Sequence, residues 1–208
     1  MALEALVQKI LLLDLPHPVR VGVDGRTASG KTTLADALAD ALRPSGRPVI
    51  RASIDDFHNP ADTRHRQGRF SPDGYYEDAR DLAAVRTLLL DPLGPAGTRH
   101  IALASFDLDR DRPIDTGLSR AGDSTILVMD GTLLQRPELA DAWDLMIFLD
   151  VPAHVARERG VARDAALLGG LDVAAELYRR RYEPAFKRYE KECNPLEAAD
   201  VVISPVTI

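Results

Sequence analysis

The sequence predicts an α/β fold: a mostly parallel sheet with helices on both faces, in three layers α/β/α. Two observations predict it. Short apolar runs at 19–23, 49–54, 126–129 and 145–151 alternate with segments of helical spacing. Runs without polar alternation suit strands covered on both faces, and their alternation with helices marks parallel crossovers. Several runs also end on Asp or Gly, at the carboxyl end of the strand, where open parallel sheets place their ligands.

Each element has its own signal. Leu3, Leu6, Val7, Ile10 and Leu13 stand at helical spacing within 2–13, and Pro16 and Pro18 end that helix. The first strand, 19–23, leads into the turn "DGRTASGKTT" (24–33), and 31–42 form a helix with Leu34, Leu38 and Leu42 on one face. "RPSGRP" (43–48) is a turn cluster before the second strand, which ends at "DDF". Residues 57–77 show no sustained period and are expected as a long loop, of the kind that is functional or mobile. Helix returns over 78–90; a strand is expected at 99–106, a polar turn region at 107–123, and a last strand at 200–204. Two helices, 153–163 and 172–191, are expected to be separated by "DAALLGGL".

The 208 residues favour one domain over 1–208, and 45% hydrophobic with 28% charged residues is the balance of a globular chain. A single cysteine, Cys193, excludes an intramolecular disulfide and a cysteine metal cluster. Net charge is −6, against the basic face of a general nucleic-acid binder, although 157–191 carries nine basic and six acidic residues. The amphipathic N-terminus has no signal-peptide pattern and no run reaches membrane-spanning length. The expectation is therefore a cytoplasmic chain with no nucleic acid and no membrane partner, homo-oligomerisation being left open.

Gly25, Gly30, Lys31 and Thr32 satisfy G-x-x-x-x-G-K-[ST] between a strand and a helix. Glycines there let successive N–H groups turn inward and, with the helix N-terminus, form a concave anion site. Arg26, Thr27, Ala28, Ser29 and Thr33 complete the loop; Lys31 can reach the β- and γ-phosphates, and the Thr32 hydroxyl can ligate Mg²⁺. Asp130, after "ILVM", fits the second metal-side acid, though an aspartate at that point can also cap a helix; Asp150, followed by Val151 and Pro152, reads as a cap. The fold expected is thus a P-loop NTPase, with ATP and Mg²⁺ as cofactors. No N-K-x-D guanine motif is present, and the length suits a kinase for a small molecule.

"GRTASGKTT", "SIDDFH", "SPDGYYED", "SFDLDRDR", "ILVMDG" and "YEPAFKRY" stand in the order found in the uridine kinase and phosphoribulokinase family of P-loop kinases. The resemblance runs from about Val19 to Ile203. It implies a catalytic base at Asp55, a metal or structural role at Asp56, an acceptor pocket including Phe106, and a lid at about 157–172 whose Arg-Asp pair is Arg163-Asp164, with Arg157 and Arg159 as nearby candidates. The acceptor loop, about 57–77, offers Phe57, His58, Tyr75 and Tyr76 as substrate contacts; its aromatics can stack on a base or pack the loop onto the sheet. Uridine or cytidine is the acceptor this implies. Pantothenate, another nucleoside or another small alcohol is the alternative, and a nucleotide-dependent regulator is the alternative outside the class. Two positions depart from the family pattern: Arg69-Phe70 stand where a ribose-binding Asp is usual, and Asp24 stands where a small residue is common.

Overall fold

The computed structural model describes residues 3–204; residue 2 of the expected first helix, and the ends of the expected 1–208 domain, lie outside the described residues. In chain order the elements are α1 (Leu3–Leu11), β1 (Val19–Gly25), α2 (Lys31–Leu42), β2 (Val49–Ser53), α3 (Ala61–Arg64), α4 (Pro72–Asp78), α5 (Leu82–Val85) and α6 (Asp91–Leu93). Four two-residue strands follow, β3 (His100–Ile101), β4 (Phe106–Asp107), β5 (Arg112–Pro113) and β6 (Ser119–Arg120). The chain then forms β7 (Ile126–Asp130), β8 (Leu145–Leu149), α7 (Ala153–Leu168), α8 (Leu171–Leu177), α9 (Glu183–Cys193), α10 (Pro195–Ala198) and β9 (Val201–Ile203).

The main sheet has five strands in the order β2-β7-β1-β8-β9, all parallel. Alternate residues serve opposite faces, as the strand period requires. Val19, Val21, Val23, Val128 and Ile147 face α1 and α2, while Leu127, Met129 and Met146 face a second core built by Ile54, Phe57, Leu89, Leu90 and Leu93. The register aligns Val23 and Ser53 with Asp130, so β1, β2 and β7 end level. Thus the glycine turn, the "DD" pair and Asp130 share one edge of the sheet. β2 is not beside β1: β7 sits between them.

Several expected elements differ. The 57–77 stretch holds two short helices, α3 and α4, the latter capped by Ser71, whose Oγ accepts the Gly74 N–H at 3.0 Å. The expected helix at 78–90 starts only at Leu82, behind an Asp81 cap, because Arg80 is drawn into a bridge with His58. The expected strand at 99–106 is reduced to a two-residue strand at each end, β3 pairing β6 and β4 pairing β5. Asp150 does not cap α7: Pro152 occupies the N-cap without a side-chain bond.

"DAALLGGL" does not break the helix at its start. α7 continues to Leu168, and the reversal falls on Gly169 (φ 99°) and Gly170 (φ 115°), which alone in the stretch tolerate left-handed backbone. Beyond α8 the helix widens into a π-turn over Tyr178–Tyr182, and the same happens at Arg86–Leu90. Both π-turns lie just before a proline, Pro184 and Pro92. A proline has no N–H and crowds the carbonyl four residues earlier, and the wider turn accommodates it.

Gly160 of α7 meets Tyr178, and a methyl built on Gly160 overlaps that ring. Gly160→Ala raises helix propensity, but overpacking costs about 1–3 kcal/mol and outweighs it. We expect Gly160→Ala to lower stability in urea unfolding, with activity falling as α7 is pushed off Tyr178; a variant more stable than the parent would refute this packing role.

Candidate active site

The loop after β1 takes the shape its residues allow. Ala28 (φ 63°) and Gly30 (φ 96°) adopt left-handed backbone, which turns the loop back on itself ahead of α2. Lys31 Nζ donates to the Arg26 carbonyl at 2.7 Å, so the cation lies within the loop. Burial brings the Lys31 amine down to about 8, against the opposing pull of Asp24, Asp55 and Asp130. The Thr32 hydroxyl donates to Asp130 Oδ2 at 2.7 Å, and Arg51 Nη2 donates to the other oxygen, Oδ1, at 2.7 Å. Asp130 therefore holds its orientation between helix α2 and strand β2. Arg26 turns away from the loop's hollow: it bonds Glu190 at 2.5 Å, with its guanidinium 4.3 Å from the Phe186 ring centre.

Beneath the loop, Asp24 is fully buried. Its Oδ1 accepts the N–H groups of Gly25 (2.7 Å) and Leu133 (3.1 Å); Oδ2 accepts the Tyr189 hydroxyl (2.5 Å) and Gln135 Nε2 (3.3 Å). Burial pushes this carboxyl above its ordinary value, while the donors and Lys31 work against that. The departure noted at Asp24 is thus a structural pin joining the loop, the segment after β7 and helix α9. Tyr189→Phe leaves Oδ2 short of a donor inside the protein and should cost about 1–3 kcal/mol. Differential scanning calorimetry tests this; an unchanged Tm would show that the pin carries no weight.

Two cavities meet at the sheet edge. One, of about 120 Å³, is walled by Ala28, Gly30, Lys31, Thr32, Thr33, Asp130 and their neighbours. The other, of about 570 Å³, is walled by His58, Arg64, His65, Arg69, Asp164, Arg181 and Tyr182 among others. Thr27, Asp55, Tyr75, Arg80 and Arg163 line both. β2 has ended at Ser53, and Ile54–Asp56 form a turn of 3-10 helix that presents Asp55 to this shared wall. Arg80 Nη2 donates to Asp55 Oδ1 at 2.6 Å. Burial raises Asp55, but the Arg80 guanidinium, with His58 and Lys31, outweighs it and holds the carboxyl below its ordinary range. Arg163 is engaged with Asp164 at 2.6 Å, and Asp164 also accepts the Tyr178 hydroxyl at 2.8 Å.

Other expected residues lie elsewhere. Phe57 is in the second core and Phe106 is buried at the start of a small hairpin; neither lines either of these two cavities. Tyr76 packs in a third core with Leu133, Phe148 and Tyr189, its ring covered by Arg136 and Arg188, each 4.3 Å from its centre. Aromatic side chains bury too much apolar surface to be left in a wet wall when the sheet offers a dry one. The Asp56 carboxylate is outside both walls; its carbonyl accepts the Ser105 N–H at 3.0 Å. Burial and the charges of Asp55 and Asp130 push its carboxyl up. Arg51, Arg64, Arg80 and Arg181 are site residues that no motif in the sequence signals.

Because its partner is a carbonyl, His58 Nδ1–H is the donor to Asp55 O at 2.8 Å, and Nε2 is left as an acceptor. Burial, then Arg80, lower His58 from 6.5 to about 4. Between those values the unfolded chain binds the proton and the native state refuses it, so stability falls as pH drops from 6.5 towards 4 and is intact above 6.5. We expect wild type to lose about 3 kcal/mol more than His58→Gln over that interval, at 1.36 kcal/mol per unit. Parallel losses in urea titrations of the two proteins would exclude this.

The sheet order and the glycine turn between β1 and α2, with Thr32 paired to Asp130, are those of a P-loop kinase. Comparison agrees. No protein-family model matches the chain. Uridine-cytidine kinase B of Dictyostelium discoideum is 30% identical over 175 residues, covering 83% of this chain and 70% of that protein. A uridine kinase of Shewanella frigidimarina (strain NCIMB 400) is 24% identical over 202 residues, covering 89% of this chain and 86% of its own. A solved structure from Silicibacter sp. TM1040, proposed to be a fructose transport system kinase, is 25% identical with a TM-score of 0.79 over 98% of this chain and 99% of that one. The chain belongs to the uridine kinase family of P-loop kinases.

Proposed function

We propose that the protein transfers the terminal phosphoryl group of ATP to a hydroxyl of a small molecule, with Asp55 as the base. The observation that carries this is the shared wall: Asp55, Arg80 and Arg163 stand where a hollow at the phosphate loop opens into a larger cavity. The triphosphate belongs on Gly25 to Thr33, and the acceptor belongs in the larger cavity. Asp55 is held ionised, so it accepts a hydrogen bond from the acceptor hydroxyl and orients its oxygen. The proton passes to the carboxylate as the new P–O bond forms. Lys31 and Arg163 place positive charge where the transferring group develops negative charge.

Thr32 and Asp130 fit Mg²⁺: they are hard oxygen donors 2.7 Å apart beside the phosphate hollow. When bound there, the ion neutralises charge on the β- and γ-phosphates. Asp56, off the wall, supports the metal side through charge and loop order.

The names of the relatives support a nucleoside, uridine or cytidine, as acceptor. The cavity supports it less directly. Tyr75, the one expected stacking ring on the wall, already lies between Tyr182 (4.9 Å), Arg80 (4.9 Å) and Arg181 (5.5 Å). Phe70 is covered by Arg180 at 5.1 Å.

Asp55→Asn keeps the size of the side chain and removes its proton affinity. It should lower kcat by roughly 10²–10⁴-fold and leave the KM for ATP little changed. Asp56→Asn should act more weakly and respond to added Mg²⁺. Steady-state rates across a Mg²⁺ series decide between them: a fast Asp55→Asn enzyme beside a dead, Mg²⁺-insensitive Asp56→Asn enzyme reverses the assignment.

A further inference from the structure

The larger cavity carries more positive charge than a neutral acceptor can use. Five guanidinium groups line it, those of Arg64, Arg69, Arg80, Arg163 and Arg181, against three carboxylates, those of Asp55, Asp109 and Asp164. Two of the carboxylates are taken, Asp55 by Arg80 and Asp164 by Arg163. Arg64 reaches outside the wall to Asp111 at 2.5 Å. His58 and His65 supply no negative charge.

Arg181 is the informative residue. It is 4% exposed, yet among the described residues no carboxylate pairs with it. Its Nη1 donates to the Arg69 carbonyl at 2.5 Å and lies 3.3 Å from His65 Nδ1; its Nη2 donates to the Arg64 carbonyl at 3.4 Å. These bonds draw the Arg64 and Arg69 segment against the cavity and leave the charge of Arg181 without a counter-ion. Burial lowers the affinity of Arg181 for its proton; Tyr182 and Tyr75 work against this, and Arg80 and Arg64 add to it. Nε of Arg64, and Nε and Nη1 of Arg80, are buried with no acceptor. A buried cation without a counter-ion is costly, and buried donors without acceptors are rare in folded proteins. Such a cluster becomes favourable when an anion enters it.

We propose that the acceptor carries an anionic group, a carboxylate or a phosphate, seated on Arg181 and Arg69. Arg64 and Arg80 supply further donors. This rests on the larger cavity being the acceptor site. Arg181 and Arg69 line only that cavity, whereas Asp55 lines both. The anion therefore marks the end of the acceptor away from the reacting hydroxyl. A neutral nucleoside leaves the excess charge unanswered; a hydroxy acid or a sugar phosphate answers it.

Two measurements test this on the full chain. The first is calorimetric titration of inorganic phosphate into the protein already saturated with Mg²⁺ and ADP, so that the phosphate loop is filled. We expect saturable binding, weakened about tenfold or more by Arg181→Gln and by Arg69→Gln, and unchanged by Arg179→Gln, an exposed control bonded to Glu176. Arg69 is exposed and bonds Arg181 only through its carbonyl, so its variant tests the anion site even if Arg181→Gln loosens the loop. No saturable binding, or equal binding by all variants, overturns the proposal.

The second is ADP release with matched acceptors: glycerol, glycerate and glycerol 3-phosphate; fructose and fructose 6-phosphate; pantothenate; uridine and cytidine. Anionic members should exceed their neutral counterparts in kcat/KM, and the carboxylate and phosphate arms tell the two anions apart. Preference for uridine or cytidine overturns the proposal. Arg181-dependent phosphate binding with no transfer to any alcohol keeps the anion site and removes the kinase assignment of this cavity.

Discussion

The carboxylate of Asp24 has no access to solvent, and four donors from separate parts of the chain converge on it. One comes from the start of the phosphate loop, two from the segment after β7, and one from helix α9. A loop bent through left-handed backbone at Ala28 and Gly30 stores strain that its surroundings must hold. Asp24 does this from below, Tyr189 ties the same point to α9, and Gln135 ties it to the Pro195 carbonyl at the start of α10. The donor Gln135 N–H completes the Tyr189 hydroxyl at 2.8 Å, so the network closes on itself. A closed network of this kind fixes geometry, because each member satisfies the others only in one arrangement.

Above that pin the site is a problem in distributing arginines. Arg51 steadies Asp130, Arg80 steadies Asp55, and Arg163 is shared with Asp164. In each pair the guanidinium bonds the carboxylate and fixes its aim. Arg181 breaks the pattern by bonding only carbonyls and a histidine. The same residue type therefore has two uses here. Paired arginines organise the protein's own acids; Arg181, buried without one, is where we place a ligand's charge.

The segment expected as a lid follows similar logic. The break in "DAALLGGL" comes at Gly169–Gly170, after α7 has already carried Arg163 to the wall of the smaller hollow. Arg163 is thus mounted on a regular helix rather than on a mobile break. Gly160 and the Tyr178–Asp164 bond set how closely that helix approaches the next one. The π-turn before Pro184 lets a single helical run pass from α8 to Tyr189 without a break.

What the sequence determined by itself is local or periodic. Five apolar runs, the strand-turn-helix around Gly25 to Thr33, and Asp130 at the end of "ILVM" are each legible because neighbouring residues carry the whole signal. That was enough for the α/β layers and the P-loop fold, while the kinase class came with the family resemblance of the ordered motifs. The residues that wall the larger cavity were not legible. Phe57, Tyr76 and Phe106 look like stacking rings in a string, and the sheet buries them because three-dimensional packing decides which aromatic faces stay open. Arg80, Arg51 and Arg181 look like surface charge in a string. Their roles depend on partners or absences 25, 79 and more than 100 positions away. Only the tertiary structure brings such residues together, because charge pairing depends on distance in space and leaves no period in sequence.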